Sequence, residues 1–263
     1  MLFSLFLKPL LALILLAIIT SLLSPIVMWK KLSYFGDAMS HSMILGLVMS
    51  INMPYGTTVI TIFFALLFIL LFNFLIYKNF FNQGSIIMMI TYFCLSLAII
   101  INDISAKKYN FNAFIFGDIL TINQQDLAIL LILSCVVVVY LLYFFDKILL
   151  IIINQDLAYL QKIPVNFLNI ANTMLLGIVI AIAVKIVGVF LVTALLIAPA
   201  CLARIFAKSP KQMLFFSLIF AISLSICGIC IAFSCNLSLA ATIIFCMVLI
   251  FFVSIALKTI MSK

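Results

Sequence analysis

Asp37 and His41 are the residues whose types and spacing first suggest chemistry. They stand four positions apart in GDAMSHSMILG, which is otherwise mostly apolar, and His41 is the only histidine of the chain. On a helix, side chains at this spacing face the same way, with Cβ atoms roughly 6 Å apart. A carboxylate oxygen and an imidazole nitrogen together suit a divalent cation such as Zn²⁺ or Mn²⁺. The pair predicts either a metal contact or, with no such role, a hydrogen bond between the two side chains or to a neighbouring helix.

The composition is that of an integral membrane protein. Of the 263 residues, 68% are hydrophobic and 8% are charged, and the mean hydropathy is +1.49. A soluble domain needs far more polar surface than this. The apolar runs are long and lack strand-period alternation, which predicts an all-α protein of transmembrane helices and not a barrel.

The apolar runs predict eight or nine transmembrane helices in one transmembrane domain covering residues 1–263, and the two counts differ in the 167–203 region. The nine stretches are 9–29, 32–51, 57–77, 85–102, 126–146, 167–184, 186–203, 212–233 and 239–257.

The basic residues predict the orientation of these helices. The net charge of +8 is carried mainly by Lys and Arg between apolar runs. The positive-inside rule explains this without a nucleic-acid partner and places the N-terminus outside and the C-terminus inside. With Lys31 at the inner surface, His41 lies about 15 Å deep in a core of about 30 Å. An ionisable residue there costs roughly 3 kcal/mol unless it is paired or lines a cavity.

Two segments are not simple spans. Residues 111–121 are apolar but too short to cross, which predicts a re-entrant or surface helix. Its Asp118 is the best candidate for a third metal ligand, the alternative being a helix cap after Gly117. Residues 147–166 form the longest predicted cytoplasmic loop, in which Asn154 can cap a short helix with Asp156 in its first turn. This suggests a docking element, and a plain connecting loop is the alternative.

Further sequence features bear on mechanism. Pro199 lies inside an apolar helix and removes one backbone donor, so the helix is expected to bend or break there, with or without a role in a pathway. The seven cysteines mostly lie in apolar runs and read as small buried hydrophobes. A metal cluster at Cys227, Cys230 and Cys235 is the alternative, but no His or carboxylate lies nearby. There is no phosphate-binding loop, so any ATP must be handled by another chain.

Four stretches resemble the permeases of bacterial ABC importers for zinc, manganese and related metals, most of all the zinc-uptake type. They are LSYFGDAMSHSMILG (32–46), FNAFIFGDILTINQQDL (111–127), INQDLAYLQKI (153–163) and VGVFLVTALLIAPACLARIFAKSP (187–210). The first and last are the most specific.

The resemblance implies a type II (cobalamin-importer-like) permease and not an enzyme. It implies a homodimer in the bacterial inner membrane, two copies of a nucleotide-binding subunit and an extracytoplasmic metal-binding protein. No cofactor is bound permanently, and Zn²⁺ or Mn²⁺ is the transported substrate.

The resemblance also implies roles for individual residues. Asp37, His41 and Asp118 would contact the metal, while Asp156, Ala158 and Lys162 would lie in the loop that the ATPase grips. Gly188 and Pro199 belong to the last stretch and are expected to kink a helix along the pathway.

The chain departs from the family in two places. Lys162 stands where the family usually has glycine, and Asn236, Ser238 and Ala240 replace the usual Asp, Pro and Gly of the last external turn. Two other functions remain open: a permease for a metal chelate such as a siderophore or cobalamin, and a secondary transporter or channel that needs no ATPase.

Overall fold

The computed structural model describes residues 2–53, 56–78, 82–105, 115–117, 119 and 122–261. In these ranges the regular structure is helical, and no strand is present. The helices are α1 (Leu2–Trp29), α2 (Ser33–Asn52), α3 (Thr57–Tyr77), α4 (Gln83–Ile104), α5 (Gln124–Ile153), α6 (Gln155–Leu160), α7 (Val165–Phe206), α8 (Pro210–Cys235) and α9 (Leu239–Met261).

Seven of the described helices are long and apolar enough to cross a membrane. The exceptions are the short α6 and α2, which is long enough but contains Asp37, His41 and several serines. The predicted stretches 167–184 and 186–203 are two parts of α7, which has 42 residues. A straight helix of that length would measure about 63 Å, roughly twice the hydrocarbon core of a bilayer.

The break in α7 lies at Gly188 and not at Pro199. Gly188 has φ 81° and ψ 169°, a backbone conformation that only glycine adopts readily, whereas Pro199 lies within the helix. Proline leaves the turn before it without one hydrogen bond. The neighbouring Ala200 N–H donates to Ser24 Oγ at 3.2 Å. A side chain of α1 therefore adds a polar contact next to the turn of α7 that lacks a backbone hydrogen bond.

The chain divides into two compact units. The first consists of Met1–Ser33, Asn112–Ser134 and Ile186–Lys263, and the second of Tyr34–Phe111 and Cys135–Lys185. The prediction of a single domain over residues 1–263 stays a prediction.

In the first unit, α8 packs between α1 and α9. Ser217 Oγ donates to the Ser21 carbonyl oxygen at 2.9 Å, which joins α8 to α1 through two buried serines. Gly228 lies directly against Ile243, so α8 and α9 approach closely at that point. Small and hydroxyl-bearing residues at such contacts are typical of helix packing in membranes.

In the second unit, Phe35 of α2 packs between Phe68 and Phe72 of α3, with ring centroids 5.9 and 5.1 Å apart. Gly177 of α7 lies against Ile69 of α3 and Met39 of α2, so the first part of α7 packs on both of these helices. These contacts bury one face of α2 and leave the opposite face, which contains Asp37, accessible.

The prediction of mostly buried cysteines is wrong. Cys94 is buried, Cys201 and Cys246 are intermediate, and the other four are exposed on this chain. Their helices present broad apolar faces outward, as helices in contact with lipid do, so an apolar run does not imply burial within the protein.

Candidate metal site

The site is built on α2. The helix follows a turn in which Lys31 has φ 57°, and the Leu32 N–H donates to the Val27 carbonyl oxygen at 2.9 Å. This hydrogen bond and the one from Lys31 N–H to Met28 close α1 with a Schellman motif, which fixes where the next helix begins. Asp37 therefore occupies the second turn of α2 and His41 the third.

Hydrogen bonds satisfy polar groups on the buried face of α2. The hydroxyls of Ser40 and Ser42 donate to the carbonyl oxygens of Gly36 and Ala38, so these buried side chains need no outside partner. The Thr91 hydroxyl of α4 also approaches the Ala38 carbonyl at 3.5 Å. These polar groups on the buried face of α2 therefore have hydrogen-bond partners. Asp37 and His41 lie on the opposite face of the helix.

The pair is close but not hydrogen-bonded. His41 Nε2 lies 3.6 Å from Asp37 Oδ1, and the two side chains are 35% and 54% exposed, respectively. This distance is too long for a direct hydrogen bond. Two ligand atoms that each lie about 2.1 Å from a tetrahedral zinc ion are about 3.4 Å apart. The spacing therefore fits two ligands of one metal ion, and the partial exposure leaves an approach open.

The described residues supply only these two ligands. Nowhere in those ranges do three or more His, Cys, Asp or Glu side chains come together. The structure therefore lends no support to a metal cluster at the cysteines of α8. Asp118, predicted as the third ligand, lies outside the described residues.

The residues just before Asp118 are described, and they pack on the break in α7. Gly117 has φ 71° and lies against Gly188, so that a Cβ added to Gly117 would come within 2.5 Å of the Gly188 backbone nitrogen. A Cβ on Gly188 would come within 2.7 Å of the Ile115 carbonyl oxygen. Phe116 and Phe190 pack edge to face beside this contact, with centroids 5.9 Å apart. We call this contact the glycine clasp. A single sequence does not reveal this contact, because nothing in it pairs two distant glycines.

The predicted docking element contains a short helix, α6. Asn154 Oδ1 accepts hydrogen bonds from the N–H groups of Asp156 and Leu157 at 2.9 and 3.2 Å, so the predicted cap is confirmed. Lys162 follows this helix with φ 56°, in the left-handed region. The Ile163 N–H donates to the Ala158 carbonyl at 3.0 Å, which completes a second Schellman motif.

Ala158 does not lie on the surface of this element. It is 0% exposed and packs with Ile151, Val165 and Leu168. The prediction that Ala158 belongs to the surface contacted by a partner is therefore corrected, because a side chain on the inner face of α6 cannot touch another protein. Leu157 and Leu160 face outward instead, and Leu160 is 79% exposed.

The fold and the site define a class: a multi-pass helical membrane protein with a polar pair on an accessible helix face and a short capped helix between two long ones. Residues 3–258 match the ABC 3 transport family. The chain belongs to this family, whose members are transporter subunits and not enzymes, and the predicted family resemblance is confirmed.

Two relatives illustrate its range. The high-affinity zinc uptake system membrane protein ZnuB of Buchnera aphidicola subsp. Baizongia pistaciae is 36% identical over 247 residues, which are 92% of this chain and 93% of the relative. The manganese import system permease protein ScaB of Streptococcus gordonii is 27% identical over 225 residues, which are 86% of this chain and 81% of the relative.

Two solved structures share the fold. PsaBC from Streptococcus pneumoniae in complex with Fab has a TM-score of 0.83 and 26% identity, with 94% of this chain and 89% of that chain covered. A metal-chelate type ABC transporter in an inward-facing conformation has a TM-score of 0.75 and 16% identity, with 95% and 85% covered. The predicted all-helical ABC permease fold is confirmed.

Proposed function

We propose that this chain is the permease subunit of an ABC importer that moves Zn²⁺ into the cytoplasm by alternating access, with Mn²⁺ as the second candidate ion. The observation that carries this proposal is the Asp37–His41 pair, 3.6 Å apart on the accessible face of α2. Membership of the ABC 3 transport family and relatives named for zinc uptake and manganese import support it.

Two ligands suit cargo better than a resident ion. A pathway site must bind the ion strongly enough to strip part of its water shell, yet weakly enough to release it. A closed structural zinc site has four protein ligands. A third ligand would come from Asp118 or from the same pair in the second subunit of a homodimer, and either would complete the site only in some states of the cycle.

Energy for transport would come from two copies of a separate ATPase subunit, since this chain has no phosphate-binding loop. We place their contact on the outer face of α6, around Leu157 and Leu160, with Asp156 and Lys162 at its two ends. An extracytoplasmic binding protein would deliver the metal. In this arrangement the chain lies in the bacterial inner membrane with its N-terminus outside and its C-terminus inside.

Metal uptake by cells tests the site. We expect Asp37→Ala and His41→Ala each to lower ⁶⁵Zn²⁺ uptake at least tenfold at normal membrane abundance. Asp103→Asn is the control, because that carboxylate is exposed at the end of α4 and has no assigned role. Unchanged uptake in both site variants would refute the assignment, and uptake of a metal chelate in preference to the free ion would favour the chelate permease.

Co-purification tests the ATPase contact. Leu160→Asp should weaken retention of the ATPase subunit at least tenfold, because it places a charge in an apolar contact. Leu237→Asp is the matched control: Leu237 is also an exposed leucine, and it lies in the turn between α8 and α9. Equal retention by both variants would contradict the proposed contact surface.

A further inference from the structure

An apolar groove lies between α3 and α4. Leu67 and Leu71 of α3 and Met89 and Phe93 of α4 form its exposed walls, and buried Leu45 of α2 contributes to its floor. Its volume is about 230 Å³. A group the size of a water molecule or a methylene takes up about 30 Å³, so the groove has room for roughly seven or eight methylenes.

The α3 wall of this groove continues as a stripe that ends in a cation. Leu67, Leu71, Phe74 and Lys78 follow one another at spacings of four, three and four residues, which places them on one face of the helix. All four are exposed. Lys78 Nζ lies 5.2 Å from the centroid of the Phe74 ring, so the ammonium group stays next to the apolar stripe.

The length of the stripe matches one leaflet of a bilayer. Phe64 is the first α3 residue in the groove wall and Lys78 closes the helix. At 1.5 Å per residue, the helix rises about 21 Å between them. Half of a bilayer, with its headgroup region, is about 20–22 Å thick. Lys78 therefore lies at headgroup height when the groove lies at the height of the acyl chains.

We propose that this groove binds one anionic glycerophospholipid, with an acyl chain between α3 and α4 and the phosphate at Lys78. The charge of Lys78 favours a phospholipid over a second copy of this chain. Within the described ranges no carboxylate pairs with Lys78. A two-fold contact between copies brings the same patch of each subunit together, so two such cationic stripes would repel. The site does not depend on the proposed metal transport.

Native mass spectrometry of the purified full chain tests the site, with phosphatidylglycerol and phosphatidylcholine of identical acyl chains as probes. A basic residue near a membrane contributes about 1 kcal/mol to anionic lipid binding, which is about fivefold in affinity. We expect the chain to retain phosphatidylglycerol about fivefold better than phosphatidylcholine. Lys78→Gln should remove this preference, and Leu67→Trp, which fills the groove, should lower retention of both lipids.

The chain contains a matched control for each variant. Lys147 Nζ of α5 lies 5.5 Å from the Phe144 ring, so Lys147→Gln removes the same kind of lysine–phenylalanine contact away from the groove. Leu142→Trp adds bulk to an exposed position on α5. Both should bind the two lipids as the unmodified chain does.

Three outcomes would overturn the proposal. The first is equal retention of the two lipids by the unmodified chain, and the second is an equal loss of phosphatidylglycerol in Lys147→Gln. The third is a Leu67→Trp variant that keeps both lipids but no longer dimerises, which would make the groove a contact between copies.

Discussion

Replacing Gly117 with alanine is expected to disrupt the glycine clasp without touching the Asp37–His41 pair. The new Cβ would lie within 2.5 Å of the Gly188 backbone nitrogen, where no side chain can move aside. A left-handed backbone costs a residue with a Cβ about 1–2 kcal/mol. Overpacking adds about 1–3 kcal/mol. The sum is a loss of about 2–5 kcal/mol in the free energy of unfolding.

The assay is thermal unfolding of the purified chain in detergent. At about 2–4 °C per kcal/mol for a chain of this size, Gly117→Ala should lower the Tm by about 4–20 °C. Gly84→Ala is the control, since Gly84 lies in α4 and a Cβ there meets nothing within 4 Å. It should be neutral or stabilise the chain by up to about 1 kcal/mol.

A double-mutant cycle isolates the contact itself. Gly188→Ala should also destabilise the chain, because its φ of 81° and ψ of 169° are almost confined to glycine. Once one Cβ has pushed the two backbones apart, the second costs less, so the double variant should lose less stability than the sum of the single losses. A Gly117→Ala Tm within 2 °C of the unmodified chain, or strictly additive losses, would refute the clasp.

Three further predictions concern the turns and caps. Lys162→Gly should stabilise the chain by about 1 kcal/mol, because it relieves a left-handed lysine at φ 56°; an unchanged or lower Tm would contradict this. Burial lowers the pKa of Lys30 from 10.5 to about 8. Between pH 8 and pH 10.5 the unfolded chain therefore binds more protons than the folded chain, and the free energy of unfolding should rise with pH across that window. Lys30→Met should remove this rise in stability, whereas Lys31→Met, at an exposed position, should leave it unchanged. Tm values of both variants at pH 7 and 10 check this. Asn154→Ala removes the cap of α6 and should destabilise this helix by about 1 kcal/mol. Amide hydrogen exchange in Gln155–Leu160 should become faster, and unchanged exchange would contradict this prediction.

Much of the fold follows from local sequence patterns. Apolar runs predicted helices whose bounds the structure reproduces to within a few residues at α3 and α8, since burial in lipid requires long apolar stretches. The helix cap at Asn154 was also predictable from the local sequence, because its hydrogen bonds involve only the next three residues. The shared face of Asp37 and His41 likewise needs only helical spacing.

Features that depend on distant contacts could not be predicted. Gly188 and Pro199 were both expected to kink the helix, and only the contact of the Gly188 backbone with Gly117 shows that the break lies at Gly188. Ala158 was expected at the surface of α6, and only the packing of Ile151 and Leu168 against it shows that it faces inward. Partners at long sequence separation decide both outcomes, and a single sequence does not identify them.

The central claim is that Asp37 and His41 bind the ion during transport. The most direct measurement is ATP-driven ⁶⁵Zn²⁺ accumulation in proteoliposomes that contain the permease and its ATPase subunit. Asp37→Ala/His41→Ala should lower zinc accumulation at least tenfold while the ATPase stays bound and Asp103→Asn transports normally. Accumulation at the unmodified rate by the double variant would contradict the account.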